Sequence, residues 1–311
     1  MKISLIIPFL NEAQNLISFK TAFDDYFTNS SKEHRLEVLF VDDGSTDDSV
    51  ELIRGFRNLN YDIKVVKLSK NYGSHAALRA GIMIANGDYL MFLYADLQDP
   101  IELIDRLAEK MNLGNDIVWA NRKSTKAPLF ERLFSSFYSG LMRKFALSNY
   151  PEKGFDVVMF NRKVADALNK DIQVNSSLFL QILSLGFKQD SIEYDKVERK
   201  HGKSKWTINK KVKLLVDSFV AFSFAPIRLV TIVGITLFAG GLLFSFYLLM
   251  RKVLFHDLVS GWTMLMTTLS LGFGITNISL GIIAEYLWRT FDAARGRPAF
   301  IIDEIIELKN E

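Results

Sequence analysis

Two short acidic stretches, Asp42-Asp43-Gly44-Ser45 and Asp96-Leu97-Gln98-Asp99, each follow an apolar run, Leu36 to Val41 and Tyr89 to Tyr94. Carboxylate and amide oxygens gathered at strand ends can hold a hard divalent cation such as Mg²⁺ or Mn²⁺, whose coordination phosphate oxygens complete. The carboxyl ends of strands in an open α/β sheet are also where such proteins bind nucleotides. The plainer reading of either stretch is an acidic turn before a helix, since Asp, Gly and Ser are ordinary turn residues and Ser45 or Asp47 makes a good N-cap. Adjacent carboxylates such as Asp42 and Asp43 repel each other unless a partner is present, and the turn reading names none.

The elements that must position these residues follow from the patterning. Ile3 to Phe9, Leu36 to Val41, Ile63 to Leu68, Tyr89 to Tyr94 and Ile117 to Ala120 read as strands. Helical patterns run from Asn11 to about Tyr26, from Asp47 to about Asn58 and from Ser74 to about Ala85. Strands alternating with helices predict a mainly parallel sheet flanked by helices. From Leu129 to Leu147 apolar and aromatic residues recur at helical spacing among Arg132, Arg143 and Lys144. Such a helix suits either a membrane interface or a dock on the sheet with a basic outer face.

The chain has 311 residues, no cysteine, and a net charge of only +3, from 38 Lys and Arg against 35 Asp and Glu. The missing cysteines exclude disulfides and thiolate metal sites, and the small net charge argues against nucleic-acid binding. Met1-Lys2 leads straight into a strand pattern, so no leader is expected. Leu229 to Met250 and Trp262 to Ile283 carry no charged residue, and each has roughly the 20 residues that span a bilayer. A hairpin of two transmembrane helices is expected. Lys210, Lys211, Lys213, Arg228, Arg289, Arg295 and Arg297 flank it on one side, against Arg251 and Lys252 in the link, so both termini are expected in the cytoplasm. Glu285 and Arg289 stand at pairing distance along the second span.

Six segments, in order, are Ile6-Ile7-Pro8-Phe9-Leu10-Asn11-Glu12, Val41-Asp42-Asp43-Gly44-Ser45, Leu68-Ser69-Lys70-Asn71-Tyr72-Gly73, Ala95-Asp96-Leu97-Gln98-Asp99-Pro100, Arg199-Lys200-His201-Gly202-Lys203-Ser204-Lys205-Trp206 and Arg295-Gly296-Arg297-Pro298. Together they resemble the family 2 glycosyltransferases of the polyprenyl-phosphate type. The resemblance implies a GT-A fold, a Rossmann-like mixed, mainly parallel sheet with flanking helices, followed by amphipathic interface helices and the hairpin. It predicts a cytoplasmic catalytic domain over 1–206, a juxtamembrane helix over 207–228, spans at about 229–250 and 262–287, and a cytoplasmic tail over 288–311. It implies an inverting transfer of a hexose from a nucleotide sugar, UDP-linked by expectation, to a polyprenyl phosphate at the bilayer. Pro8, Asn11, Glu12, Asp42 and Asp43 are implied to contact the nucleotide, and Asp96 and Gln98 to hold Mg²⁺ or Mn²⁺.

The resemblance implies Asp-Ala-Asp-Leu-Gln as the usual pattern, and here Tyr94 stands at its first aspartate position, which removes one carboxylate from the implied metal site. That departure leaves a second reading open, a non-catalytic relative that binds nucleotide or lipid phosphate for a partner. Asp156 aligns with an aspartate near the acceptor and is the candidate base; an N-cap or loop carboxylate is its alternative. Arg122, Arg132, Arg199, Ser204 and Lys205 are the implied acceptor-phosphate residues. Attraction to anionic lipid explains most of the lysines from Lys203 to Lys213 equally well. A processive polysaccharide synthase is disfavoured, since no Gln-x-x-Arg-Trp segment occurs. Gly234, Gly240 and Gly241 permit close helix packing between subunits, so a homo-oligomer is allowed.

Overall fold

The computed structural model describes residues 1–29, 34–56, 61–123, 129–151, 155–172, 176–197, 225–255 and 261–308, with 217, 220, 222 and 223 besides. The chain divides into two compact units, Met1–Leu215 with Pro298–Glu311, and Val216–Arg297.

The first unit is built on an eight-stranded sheet of β1 (Lys2–Phe9), β2 (Arg35–Asp42), β3 (Tyr61–Leu68), β4 (Tyr89–Phe92), β5 (Ile117–Arg122), β6 (Phe155–Asn161), β7 (Gln189–Tyr194) and β8 (Ile302–Leu308), in the order β7-β5-β6-β4-β1-β2-β3-β8. β1 runs parallel to β2 and β4, β2 to β3 and β5 to β7, while β6 and β8 run antiparallel to their neighbours. One edge of the sheet therefore collects the carboxyl ends of β1 to β5 and β7 together with the start of β6.

The central strands are near-continuous apolar runs because both faces are covered. Ile3, Leu5 and Ile7 of β1 face Leu16, Phe19 and Phe23 of α1 (Ala13–Asn29), in a core shared with Ile53 of α2 (Ser49–Arg54) and with Ile104, Leu107 and Met111 of α4 (Leu103–Asn112). On the opposite face α3 (Ser74–Ile84) packs against β1 and β2 and meets α6 (Arg162–Lys170). α5 (Leu129–Phe145) and α7 (Leu178–Ser184) complete the unit's helices among the described residues.

Pro8 decides where the sheet opens. The Ile6 carbonyl accepts from Leu93 N–H (3.1 Å) and the Phe9 carbonyl from Asp43 N–H (3.0 Å), so even residues of β1 bond toward β4 and odd residues toward β2. The next rung toward β4 needs an N–H from residue 8, and proline has none. Register between β1 and β4 accordingly ends at Ile6↔Phe92, whereas β1 stays paired with β2 as far as Phe9↔Asp42. The gap falls where strand order reverses about β1, the position at which open α/β sheets bind ligands.

The loops at this edge are stitched together by side chains. Asn11 N–H donates to Ser45 Oγ (2.9 Å), its Oδ1 accepts from Thr46 N–H (2.8 Å), and Glu12 N–H donates to Ser49 Oγ (3.0 Å). Asp43 Oδ1 accepts from the N–H groups of Tyr72 (2.8 Å) and Gly73 (3.1 Å), so the loop before α3 hangs on one carboxylate. Gly44 makes that approach feasible. Its φ is +80°, and a Cβ there would stand 2.7 Å from backbone atoms of Lys70 and Asn71.

Two regions depart from the sequence reading. Residues 288–311 were expected as a tail, yet Ile302–Leu308 returns to the sheet and pairs antiparallel with β3, with Arg54–Glu304 and Lys64–Glu307 ion pairs at 3.2 and 3.0 Å. Asp156 is the second residue of β6, and α6 is capped instead by Asn161, whose side chain accepts from Val164 N–H (3.1 Å). The N-cap alternative for Asp156 is thereby excluded.

The second unit contains α8 (Ala225–Phe255) and α9 (Trp262–Ala294), which contact each other. Among the described residues one segment, Leu271–Ala294, is long and apolar enough to cross a membrane, and Ala225–Gly241 is a shorter apolar stretch. The expected Glu285–Arg289 pair is present at 2.8 Å, and Asp217 joins it at 2.7 Å. The predicted helix over 207–228 lies mostly outside the described residues.

His75 ties α3 to α7: its Nδ1 accepts from Leu178 N–H (3.0 Å) and its ring meets Phe179 edge-on. Burial, reinforced by the charge of Arg79, pushes the imidazole down to about 4. The unfolded chain, with histidine near about 6.5, then binds the extra proton first, so this stability is complete above about 6.5 and lost as pH falls toward the folded value. On going from about pH 7.5 to about pH 5, the wild type is expected to lose more thermal stability than His75→Gln; equal losses contradict this. Gly44→Ala is expected to destabilise the first unit by about 2 kcal/mol, measured by denaturant unfolding, and a neutral effect would refute the close approach of the two loops.

Candidate active site

The sheet edge carries two groups of polar side chains, one on each side of the gap at Pro8. On the β2 side Asp42 is fully buried. Its Oδ1 accepts from Ser45 N–H (2.8 Å), whereas Oδ2 is buried with no hydrogen-bond partner among the described residues, an arrangement that costs free energy. Burial raises the neighbouring Asp43 carboxyl above its ordinary value; the Tyr72 and Gly73 amides oppose this and the Asp42 charge adds to it. The repulsion expected between the two aspartates is therefore real, and backbone amides restrain it.

On the β4 side the chain turns sharply through Asp96-Leu97-Gln98. Leu97 has φ +53°, a left-handed conformation that costs a branched side chain about 1 kcal/mol or more. Asp96 Oδ1 accepts from Gln98 N–H (3.2 Å), and Val197 N–H donates to the Gln98 carbonyl (2.9 Å), which pins the segment after β7 onto this turn. Asp99 is buried; its Oδ1 accepts from Tyr194 Oη (2.5 Å) and lies 3.4 Å from Lys196 Nζ, and its Oδ2 is buried without a partner.

Arg122 at the end of β5 donates from Nη2 to Asp156 Oδ2 at the start of β6, and Lys196 Nζ lies 3.8 Å from that same oxygen. Charges thus alternate along the edge: Asp99, Lys196, Asp156, Arg122. Burial presses the Lys196 ammonium below its ordinary value and Arg122 pushes the same way, while Asp99 and Asp96 oppose them. Tyr94 lies beside this run, near Asp99, Asp96 and Arg122. Burial first, then the charges of Asp99 and Asp96, push its hydroxyl well above the usual tyrosine range, so it stays neutral.

The sequence-selected residues fall into three sets. Pro8, Asn11, Glu12, Asp42 and Asp43 gather at the ends of β1 and β2, with Asn11 and Asp43 bonded to neighbouring loops. Asp96, Gln98, Arg122 and Asp156 gather on the other side of the gap. Arg132 belongs to α5, but its side chain is not among those described, and Arg199, Ser204 and Lys205 lie outside the described residues. Sequence reasoning missed Tyr194 and Lys196. Tyr194 closes β7 and Lys196 follows two residues beyond it, and no sequence pattern marked either as a site residue.

Among the described residues no three His, Asp or Glu side chains form a metal-holding group. The site therefore does not fit an all-protein cage. It does fit a cation bound by one carboxylate, Asp96, and otherwise by phosphate oxygens and water, the usual situation of Mg²⁺.

Residues 4–172 match the family model "Glycosyl transferase family 2". Among curated proteins the chain is 30% identical over 309 residues to the Bacillus subtilis "Uncharacterized glycosyltransferase YkcC", covering 99% of this chain and 95% of that one. It is 29% identical to the Proteus mirabilis undecaprenyl-phosphate 4-deoxy-4-formamido-L-arabinose transferase, covering 99% and 95%. It is 30% identical to the Escherichia coli prophage bactoprenol glucosyl transferase homolog, covering 98% and 99%. With the family model over more than half its length and these relatives over nearly all of it, the chain belongs to glycosyl transferase family 2 and is a glycosyltransferase.

Proposed function

We propose that this enzyme transfers a hexose from a nucleotide sugar, UDP-linked, to the phosphate of a polyprenyl carrier such as undecaprenyl phosphate, with inversion at the anomeric carbon. What carries the reading is one sheet edge that holds unsatisfied carboxylate oxygens on Asp42 and Asp99 beside recessed cations on Arg122 and Lys196, in a chain whose full-length relatives are named for undecaprenyl-phosphate sugar transfer. Asp42, framed by Pro8, Asn11, Glu12 and Asp43, is assigned the nucleoside. Asp96 and Gln98 are assigned a Mg²⁺ or Mn²⁺ ion, which when bound neutralises charge on the departing nucleoside diphosphate.

Arg122, with Arg132, Arg199, Ser204 and Lys205, is assigned the acceptor phosphate, because guanidinium and hydroxyl donors suit phosphate oxygens. That phosphate is already an anionic nucleophile near neutral pH, so Asp156 has little proton to remove. Its work is to hold Arg122 toward the acceptor and to take up what proton remains. A single displacement by phosphate oxygen on the anomeric carbon inverts it.

A polyprenyl acceptor requires a membrane enzyme. We assign α8 and α9 to a transmembrane hairpin with spans near 229–250 and 262–287, residues 1–206 to the cytoplasmic catalytic domain, 207–228 to a juxtamembrane helix, and both termini to the cytoplasm. The hydroxyls of Thr231, Thr236, Thr276 and Ser279 and the amide of Asn277 all donate to carbonyls one turn back in their own helix, which leaves these polar groups satisfied in lipid.

Asp96→Ala is expected to keep the fold and to lower sugar transfer by about 100-fold, measured with labelled nucleotide sugar; retained activity removes Asp96 from the metal role. If Tyr94 weakens metal binding, Tyr94→Asp is expected to lower the Mg²⁺ concentration that gives half-maximal transfer. A wild type without transfer under any metal, yet with measurable nucleotide binding, favours the non-catalytic reading.

A further inference from the structure

We propose that Lys196 is a phosphate-binding residue that forms with Arg122 a two-cation clamp, which Asp156 holds in register until a phosphate takes its place. This deepens the reading above and rests on it. The geometry begins with one oxygen. Asp156 Oδ2 is the shared contact of Arg122 Nη2 and of Lys196 Nζ at 3.8 Å, so one anionic oxygen bridges two cations from different strand ends, as a phosphate oxygen does in a basic site.

The exposures identify which partner yields. The side chains of Arg122 and Lys196 are 21% and 19% exposed, against 39% for Asp156, so the cations are recessed and the carboxylate stands nearest solvent. Lys196 keeps a second anchor when Asp156 turns away, since buried Asp99 lies 3.4 Å from its ammonium and is itself fixed by Tyr194. The Nε of Arg122 is buried, without a hydrogen-bond partner among the described residues. A phosphate monoester or diphosphate brings more charge than the carboxylate it displaces. Both the lipid carrier's monoester and the donor's diphosphate have this chemistry.

The test uses the full-length protein in detergent, with undecaprenyl phosphate and UDP as separate probes and EDTA present, so that no metal bridges either phosphate. Lys196→Met is expected to weaken one probe by about tenfold and to leave the other unchanged, which identifies the phosphate the clamp serves. Lys196→Arg is expected to restore most of that binding, and Asp156→Asn to tighten it by removing the competing charge. Lys196→Met leaves Asp99 buried without its cation, so Lys196→Met with Asp99→Asn, which balances the charge, is measured beside it and is expected to lose the same binding. Wild-type affinity for both probes in these two variants overturns the clamp, as does weaker binding by Asp156→Asn or a wild type that binds neither probe. A wild type that binds as expected but moves no sugar in Mg²⁺ overturns the transferase reading while upholding the clamp.

Discussion

The run of alternating charge formed by Asp99, Lys196, Asp156 and Arg122 is the interaction on which one half of this sheet edge depends. It joins the loop after β4, the segment after β7, the start of β6 and the end of β5, four pieces of chain that nothing local in the sequence brings together. Recessed charges of this kind are stable only as a set, because removing one member leaves its neighbours uncompensated in surroundings that solvate ions poorly.

The other half of the edge solves a similar problem with backbone. Asp43 and Asn11 lie where a nucleotide would meet the sheet, yet both are occupied with amides of adjacent loops. They fix the loops at this end of the sheet, and Asp42 Oδ2 is left buried without a hydrogen-bond partner among the described residues. Pro8 separates the halves. By withholding one N–H it ends the pairing of β1 with β4, so the gap between the two polar groups is written into the backbone rather than into any side-chain contact.

Of the first five strands, β1, β2, β4 and β5 were legible in the sequence as largely apolar, buried runs, and β3 through its apolar residues Ile63, Val65, Val66 and Leu68 among Asp62, Lys64 and Lys67. β7 was not, since Gln189, Asp190, Ser191 and Glu193 keep it polar at the outer edge of the sheet, and neither was β8, whose Asp303, Glu304 and Glu307 resemble a solvated tail until their ion pairs with Lys67, Arg54 and Lys64 are seen. The acidic stretches after β2 and β4 were visible as candidates for the same reason their strands were. The pairing of Arg122 with Asp156 was invisible, because it depends on the antiparallel insertion of β6 between β4 and β5 and on a register shift between Ala120 and Asn121. The two long apolar helices α8 and α9 were legible from composition, while the continuation of α9 past Ile283 to Ala294 was not.

The central claim is that sugar passes from a nucleotide to a lipid phosphate at this edge. Its most direct test is to incubate the purified full-length protein with undecaprenyl phosphate, Mg²⁺ and a panel of radiolabelled nucleotide sugars headed by UDP-hexoses, and to extract the lipid. The account predicts an acid-labile labelled lipid phosphosugar from one donor, abolished by EDTA and by omission of the lipid. Label transferred with equal efficiency to a soluble acceptor lacking the phosphate, or no labelled lipid from any donor, would contradict it.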